Sequence, residues 1–263
     1  MNKSKVEKVN FYSDVLGKEM PMLVYLPECY NSLTPLPVLY FLHGRSGNEN
    51  LMFEMDINAK ADRMIKNGDI KPMIIACPRI ENSRGFNSSL ICKEVPDPGD
   101  NNRIINLGMY EDYFMKEILP LTDKTFNTIK DRKGRYIGGI SAGGYAALHN
   151  TFRHQHIFSK VGGHMPALEL KLEEEDKPYY KDMDVWEKYD PIYIARNNNI
   201  SSGIDVYLDA GDKDEGRFYE GCSILHKTLN EKGINSQNHV FPGNHSAEYI
   251  QSNIEKYLKF YGC

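Results

Sequence analysis

The run Gly139-Ile140-Ser141-Ala142-Gly143-Gly144 sets a serine between glycines directly after the apolar stretch Tyr136 to Ile140. A serine hydroxyl is a poor nucleophile at neutral pH; it needs a backbone that thrusts it outward and a base that takes its proton. The G-x-S-x-G spacing meets the first need, because glycines on either side let a strand turn sharply into a helix with the serine exposed at the bend. A glycine-rich turn with an incidental serine would share the letters, but the buried strand before Ser141 and a helix beginning near Tyr145 favour the nucleophile.

The base should be a histidine oriented by a carboxylate, and in sheets that carry this turn the three follow in the order serine, acid, histidine. His245 lies in Phe241-Pro242-Gly243-Asn244-His245-Ser246, between the last strand and the last helix, where such a base belongs. His43, His149, His154, His156, His164, His226 and His239 lack that position and read as structural or surface groups. For the acid, Asp209-Ala210-Gly211-Asp212-Lys213-Asp214-Glu215 stands at a strand end. Asp209 belongs to the strand itself, Glu215 could cap the next helix, and spacing leaves Asp214 only narrowly ahead of Asp212. Charge developing on a carbonyl oxygen needs two donors. The Ala142 N–H is one, and the loop His43-Gly44-Arg45-Ser46-Gly47 offers the Arg45 N–H as the other. The Arg45 side chain reads as a solvated surface group before it reads as an anchor for a substrate carboxylate or phosphate.

These groups can converge only if neighbouring strands end together. Val6 to Tyr12 and Met20 to Leu26 read as a hairpin through Leu16-Gly17-Lys18, forming an antiparallel edge. Pro37 to Leu42 is a continuous apolar run, the mark of a strand covered on both faces. The spacing then predicts a helix over Phe53–Asn67 stopped by Gly68, a strand over Pro72–Cys77, a helix over Met109–Phe126 and a strand over Tyr136–Ile140. After the serine come a strand at Val206-Tyr207-Leu208, a helix over Phe218–Leu229, a strand at His239-Val240-Phe241 and a helix over Ala247–Phe260. This alternation implies an α/β class: a mostly parallel central sheet with helices on both faces, in a single domain over 1–263. Two stretches break the rhythm, near 81–106 and 168–188, and read as loop or lid insertions bordering a site. In the second, Glu173-Glu174-Glu175-Asp176 reads as a solvated loop, while Tyr179, Tyr180 and Trp186 read equally as an aromatic wall for substrate or as packing.

Composition narrows the function classes. With 263 residues, 41% of them hydrophobic and 26% charged, the chain can bury a core without metal or disulfide support. A net charge of -4 lacks the basic footprint of a nucleic-acid binder, so the expected partner is a small molecule. The five cysteines are scattered, with no CxxC pair, which fits a reducing compartment. The polar, lysine-rich start from Met1 to Asn10 and the lack of a membrane-length apolar stretch lead to an expected cytoplasmic location with no membrane partner. His154 and His156 have no third ligand at hand, and neither a metal nor another cofactor is expected. A homo-oligomer is compatible with the sequence.

Phe41-Leu42-His43-Gly44, Tyr110-Glu111 with Glu117-Ile118-Leu119-Pro120, the elbow at Ser141, Trp186 with Asp190-Pro191, Gly211-Asp212-Lys213-Asp214 and Pro242-Gly243-Asn244-His245 occur in order across nearly the whole chain. Together they resemble the putative esterase family of the α/β-hydrolase fold, which includes tributyrin, feruloyl and acetyl-xylan esterases, S-formylglutathione hydrolases (esterase D-like) and mycolyltransferases. The resemblance implies Asp214 as the acid, Ser141 and His245 as nucleophile and base, and the Arg45 and Ala142 amides as oxyanion donors. It runs closer to the tributyrin and feruloyl esterases, through the short Leu-His-Gly loop, than to the S-formylglutathione hydrolases. Many members carry Met after the nucleophile; Ala142 here implies a wider acyl pocket. The expected activity is hydrolysis of small acyl or aryl esters, with Tyr180 and Trp186 as candidate substrate contacts and Tyr110 and Glu111 opening a helix. The alternatives are a feruloyl or acetyl carbohydrate esterase, an acyltransferase using the same triad, and a non-catalytic binding module with an esterase fold.

Overall fold

A computed structural model describes residues 3–263. Strands β1 (Lys5–Ser13) and β2 (Lys18–Leu26) form the expected hairpin, turning at Gly17 with φ +69°. Strand β3 (Val38–Leu42) follows. The expected helix over 53–67 is two helices, α1 (Leu51–Glu54) and α2 (Ile57–Asn67), because Asp56 takes φ +53° and interrupts the helical backbone. Gly68, left-handed at φ +78°, ends α2 as a C-terminal glycine should. After β4 (Ile74–Pro78), the first irregular stretch contains a hairpin of its own, β5 (Lys93–Asp97) and β6 (Asp100–Leu107), separate from the main sheet.

The expected helix over 109–126 is continuous but uneven: α3 (Tyr110–Tyr113), a π-helical segment over Phe114–Ile118, then α4 (Leu119–Thr125). Pro120 has no N–H to donate back into the preceding turn, a sufficient reason for the regular ladder to fail there. The chain continues through β7 (Arg135–Ile140), α5 (Ala142–Arg153) and β8 (Lys160–His164). The second irregular stretch folds into α6 (Lys177–Tyr180) and α7 (Met183–Tyr189), followed by α8 (Pro191–Asn197). Then come β9 (Asp205–Gly211), α9 (Phe218–Glu231), β10 (Ser236–Phe241) and α10 (Ala247–Gly262).

The sheet has eight strands in the order β1-β2-β4-β3-β7-β8-β9-β10. β2 is antiparallel to both its neighbours, and every pair from β4 to β10 is parallel. Period-two alternation divides the apolar side chains between two cores. From β3, Val38, Tyr40 and Leu42 enter a cluster with Leu148 of α5 and Leu225 of α9, whereas Leu39 and Phe41 enter another with Ala61 of α2 and Leu258 of α10. This is why β3 reads as a continuous apolar run: both faces are covered. Strand β8 carries no such signal in Lys-Val-Gly-Gly-His. A Cβ on Gly162 would stand 2.0 Å from the Tyr261 hydroxyl, so space for α10 decides the residue there, not strand propensity. Among the described residues no helix is long and apolar enough to cross a membrane.

Candidate active site

Strand β7 ends at Ile140 and α5 begins at Ala142, three residues earlier than the sequence suggested, so Ser141 alone makes the turn. Its φ of +53° with ψ of -116° is a conformation that side-chain-bearing residues rarely adopt. Neighbouring backbone holds it there. Ser141 N–H donates to the His164 carbonyl at 3.0 Å, and the Ser141 carbonyl accepts from Tyr145 N–H at 2.9 Å and Ala167 N–H at 3.0 Å. The packing of the turn also dictates its glycine: a Cβ on Gly143 would lie 2.4 Å from the His43 carbonyl oxygen.

The carboxyl ends of β7, β9 and β10 bring Ser141, Asp214 and His245 together, at the edge of the parallel sheet where ligands of such folds bind. His245 Nε2 is 3.0 Å from Ser141 Oγ, and His245 Nδ1 is 2.9 Å from Asp214 Oδ2. The Asp214 side chain is fully buried, and its Oδ1 accepts from Gly216 N–H at 2.9 Å. The His245 ring is 28% exposed, open on one side to the cavity, and meets the Phe218 ring edge to face.

Asp212, the rival acid, is exposed and accepts from Gly243 N–H at 2.9 Å. Glu215 accepts from the His245 backbone N–H at 3.2 Å and does not cap a helix, since α9 starts only at Phe218. One acid thus holds the imidazole, and two hold the loop that carries it.

The Arg45 and Ala142 amides face the same cavity problem from different elements. His43 is buried; its Nδ1–H donates to the Gly44 carbonyl at 2.8 Å, and its Nε2 accepts from Ile80 N–H at 2.9 Å. Both bonds require a neutral ring, and burial pushes the imidazole down to about 4. Fixing the Gly44 carbonyl in a trans peptide directs the Arg45 N–H to the opposite side. Among the described residues neither the Arg45 N–H nor the Ala142 N–H has a protein acceptor, and both residues line the cavity beside Ser141. Nothing in the sequence assigned His43 this supporting part except its place before Gly44.

Several expectations change. The Arg45 side chain is not a solvated group: Nη2 donates to Asp176 Oδ1 at 2.8 Å, with Glu175 at 3.4 Å and Asp97 at 3.9 Å from Nη1. Asp176, expected in a solvated acidic loop, is 2% exposed and also binds the buried guanidinium of Arg84. Arg84 pairs with Glu169 through both terminal nitrogens as well. These ion pairs tie both insertions to the Arg45 loop, and no local sequence signal distinguishes their members from surface charges.

Trp186 and Tyr180, the candidate substrate contacts, do not line the cavity. Trp186 is buried edge-on against Tyr193, and Tyr180 is buried in a stack with Phe86 at 5.0 Å. Such large rings remove more apolar surface from water beneath α5 and α8 than they would at an open wall. Tyr110 does open α3, with its hydroxyl on Glu81. Glu111 accepts from His154 at 2.7 Å, Arg153 at 3.0 Å and His149 at 3.3 Å. Burial alone would raise the Glu111 carboxyl, but these donors hold it well below the usual range. Asp209 lies within β9 as expected and accepts from Tyr249 at 2.7 Å, Tyr257 at 2.9 Å and His164 at 3.0 Å, fastening α10 to the sheet.

Comparisons with known proteins agree with this architecture. The family described as Putative esterase matches residues 13–261. An endo-1,4-beta-xylanase/feruloyl esterase of Xylanibacter ruminicola is 27% identical over 85% of the chain, which spans 29% of that protein's length. An S-formylglutathione hydrolase of Arabidopsis thaliana is 24% identical over 96% of the chain and 90% of its own length. The solved structure of a ferulic acid esterase superposes with a TM-score of 0.80 at 24% identity, covering 100% of this chain and 99% of the other, a likeness of fold. With the match running from the first hairpin into the last helix, the chain belongs to the putative esterase family, serine hydrolases of the α/β-hydrolase fold that act on carboxylic ester bonds.

Proposed function

We propose that the chain hydrolyses small acyl or aryl carboxylic esters through an acyl-enzyme on Ser141. The observation that carries this reading is the unbroken relay from Asp214 Oδ2 through His245 to Ser141 Oγ, with contacts of 2.9 and 3.0 Å. Ser141 Oγ attacks the ester carbonyl carbon while its proton passes to His245 Nε2, and Asp214 stabilises the imidazolium through Nδ1–H. The oxyanion receives the Arg45 and Ala142 N–H groups; the second opens α5, where the helix dipole adds positive potential. Collapse expels the alcohol, which takes the proton from Nε2. Water then attacks the acyl carbon, giving its proton to His245, and Ser141 leaves with that proton restored.

The relative named for feruloyl esterase activity supports a second reading, an ester of an aromatic acid with a carbohydrate. A cytoplasmic location belongs to the same proposal, supported by five cysteines that are all free thiols; fractionation of native cells tests it.

Purified protein assayed with p-nitrophenyl acetate and butyrate should turn over both and label with a fluorophosphonate probe. Ser141→Ala should lose turnover and labelling together. Unchanged turnover in that variant, or no labelling of the native chain, would overturn the reading.

A further inference from the structure

The cavity beside Ser141 and His245 holds about 590 Å3 and has a mixed lining. Leu51, Met55, Met165 and Ile250 contribute apolar surface to it. The rest of the lining is largely polar and charged, and its charges do not balance. Three arginines line the cavity, and each is already met by an acid: Arg84 by the partly buried Glu169, Arg103 by the buried Asp97 and Arg45 by the buried Asp176. The Arg84 side chain is 1% exposed, so it presents no guanidinium surface to a ligand.

Three further carboxylates line the same cavity: Glu54, Glu175 and Glu215. Among the described residues Glu54 and Glu215 have no cationic partner, and Glu175 only shares Arg45, at 3.4 Å. No lysine lines the cavity. Glu54 and Glu215 are exposed and the Glu175 side chain is 43% exposed, so their summed field reaches the solvent at the opening and, at low salt, favours cations over anions there.

We propose that this site is selective for charge, favouring esters with a positively charged alcohol portion, accepting neutral ones and rejecting those that carry a carboxylate. The inference rests on the esterase reading and adds to it the chemical class of the substrate. The apolar lining residues take the hydrocarbon part of the ester, and the surplus carboxylates meet the cationic part.

Three butyryl thioesters of similar size, assayed by thiol release, test it: butyrylthiocholine, the uncharged 3,3-dimethylbutyl thioester and the S-butyryl derivative of 3-mercaptopropionate. p-Nitrophenyl butyrate runs alongside and reports the esterase reading alone. At low salt, kcat/KM should fall in that order, with at least tenfold between the cationic and the anionic ester. Salt should compress the ratio, because the screening length shrinks from about 30 Å at 0.01 M to about 3 Å at 1 M. Glu54→Gln should narrow the ratio at low salt, and Glu54→Lys should narrow it further. Equal turnover of the three thioesters, preference for the anionic one, or a cationic preference indifferent to both salt and the Glu54 variants would overturn the proposal. Loss of p-nitrophenyl butyrate turnover would instead overturn the esterase reading beneath it.

Discussion

Arg45 and Asp176 lie 131 residues apart in the chain and meet at 2.8 Å, joining the loop that carries the proposed oxyanion amide to the second insertion. Asp176 shares its other oxygen with Arg84, so one buried carboxylate holds two guanidiniums. Removing it leaves Arg84 with Glu169 alone and Arg45 with only the longer contacts to Glu175 and Asp97, so the cost approaches but does not exceed the about 3–5 kcal/mol of a broken buried pair. Asp176→Ala should therefore lower the melting temperature markedly and reduce kcat more than it raises KM, through a displaced Arg45 loop. Denaturant melts and steady-state kinetics with p-nitrophenyl butyrate check both. A variant as stable and active as the native protein would show that the ion pairs are incidental.

Asp214 holds the imidazole and Asp212 holds only a loop amide. Asp214→Asn should preserve the contact geometry yet favour the wrong imidazole tautomer, lowering kcat by about 10⁴-fold. Asp212→Asn should stay within about tenfold of native, since its exposed oxygen is replaced by an amide oxygen that can still accept from Gly243. If the two variants lost activity equally, the assignment of the acid would be wrong.

At the elbow, Gly143→Ala drives a methyl group against the His43 carbonyl, 2.4 Å away across immobile backbone. The chain must shift to relieve this, so the expected outcome is overpacking of about 1–3 kcal/mol together with loss of fluorophosphonate labelling. Full labelling at native stability would mean that the turn has slack the geometry denies.

Asp190 caps α8 through Oδ1, which accepts from Ile192 N–H at 2.9 Å and Tyr193 N–H at 3.2 Å, while burial raises its carboxyl to about 7. Between the unfolded value of about 4 and that value, the native state holds a proton that the unfolded state has lost. Its contribution to stability is therefore greatest below about pH 4 and declines as pH rises towards 7, by at most about 1.4 kcal/mol per unit. Asp190→Asn keeps the capping oxygen and removes the titration. Melts of both proteins across this range should diverge in favour of the variant as pH rises; parallel curves would contradict the assignment.

The parts legible in the sequence are those whose physics is local. The Ser141 turn needs small neighbours within two residues, and His245 sits in a short loop between a strand and a helix, so both leave a mark in consecutive letters. The fully buried strands are equally plain, because covering both faces of β3 requires five apolar residues in succession. Strand β8 was illegible because Gly162 answers to Tyr261 of α10, about 100 residues further along, and Gly163 to Leu148 of α5 and Pro166. Trp186 and Tyr180 were ambiguous for a related reason: an aromatic near an expected lid has the same composition whether it faces a ligand or the core.

By itself the sequence indicated most of the alternating strands and helices, the turn at Ser141, the loop of His245 and a short choice of acids. The residues alone left Asp214 and Asp212 nearly level, and the tertiary structure shows that Asp214 reaches the imidazole while Asp212 turns to a loop amide, because the two differ by two positions in one loop and by the direction each side chain takes. It also turned a run of apparently solvated acids into partners of Arg45 and Arg84. A charge's partner depends on which distant segments pack together, and neither its type nor its neighbours in the chain record that.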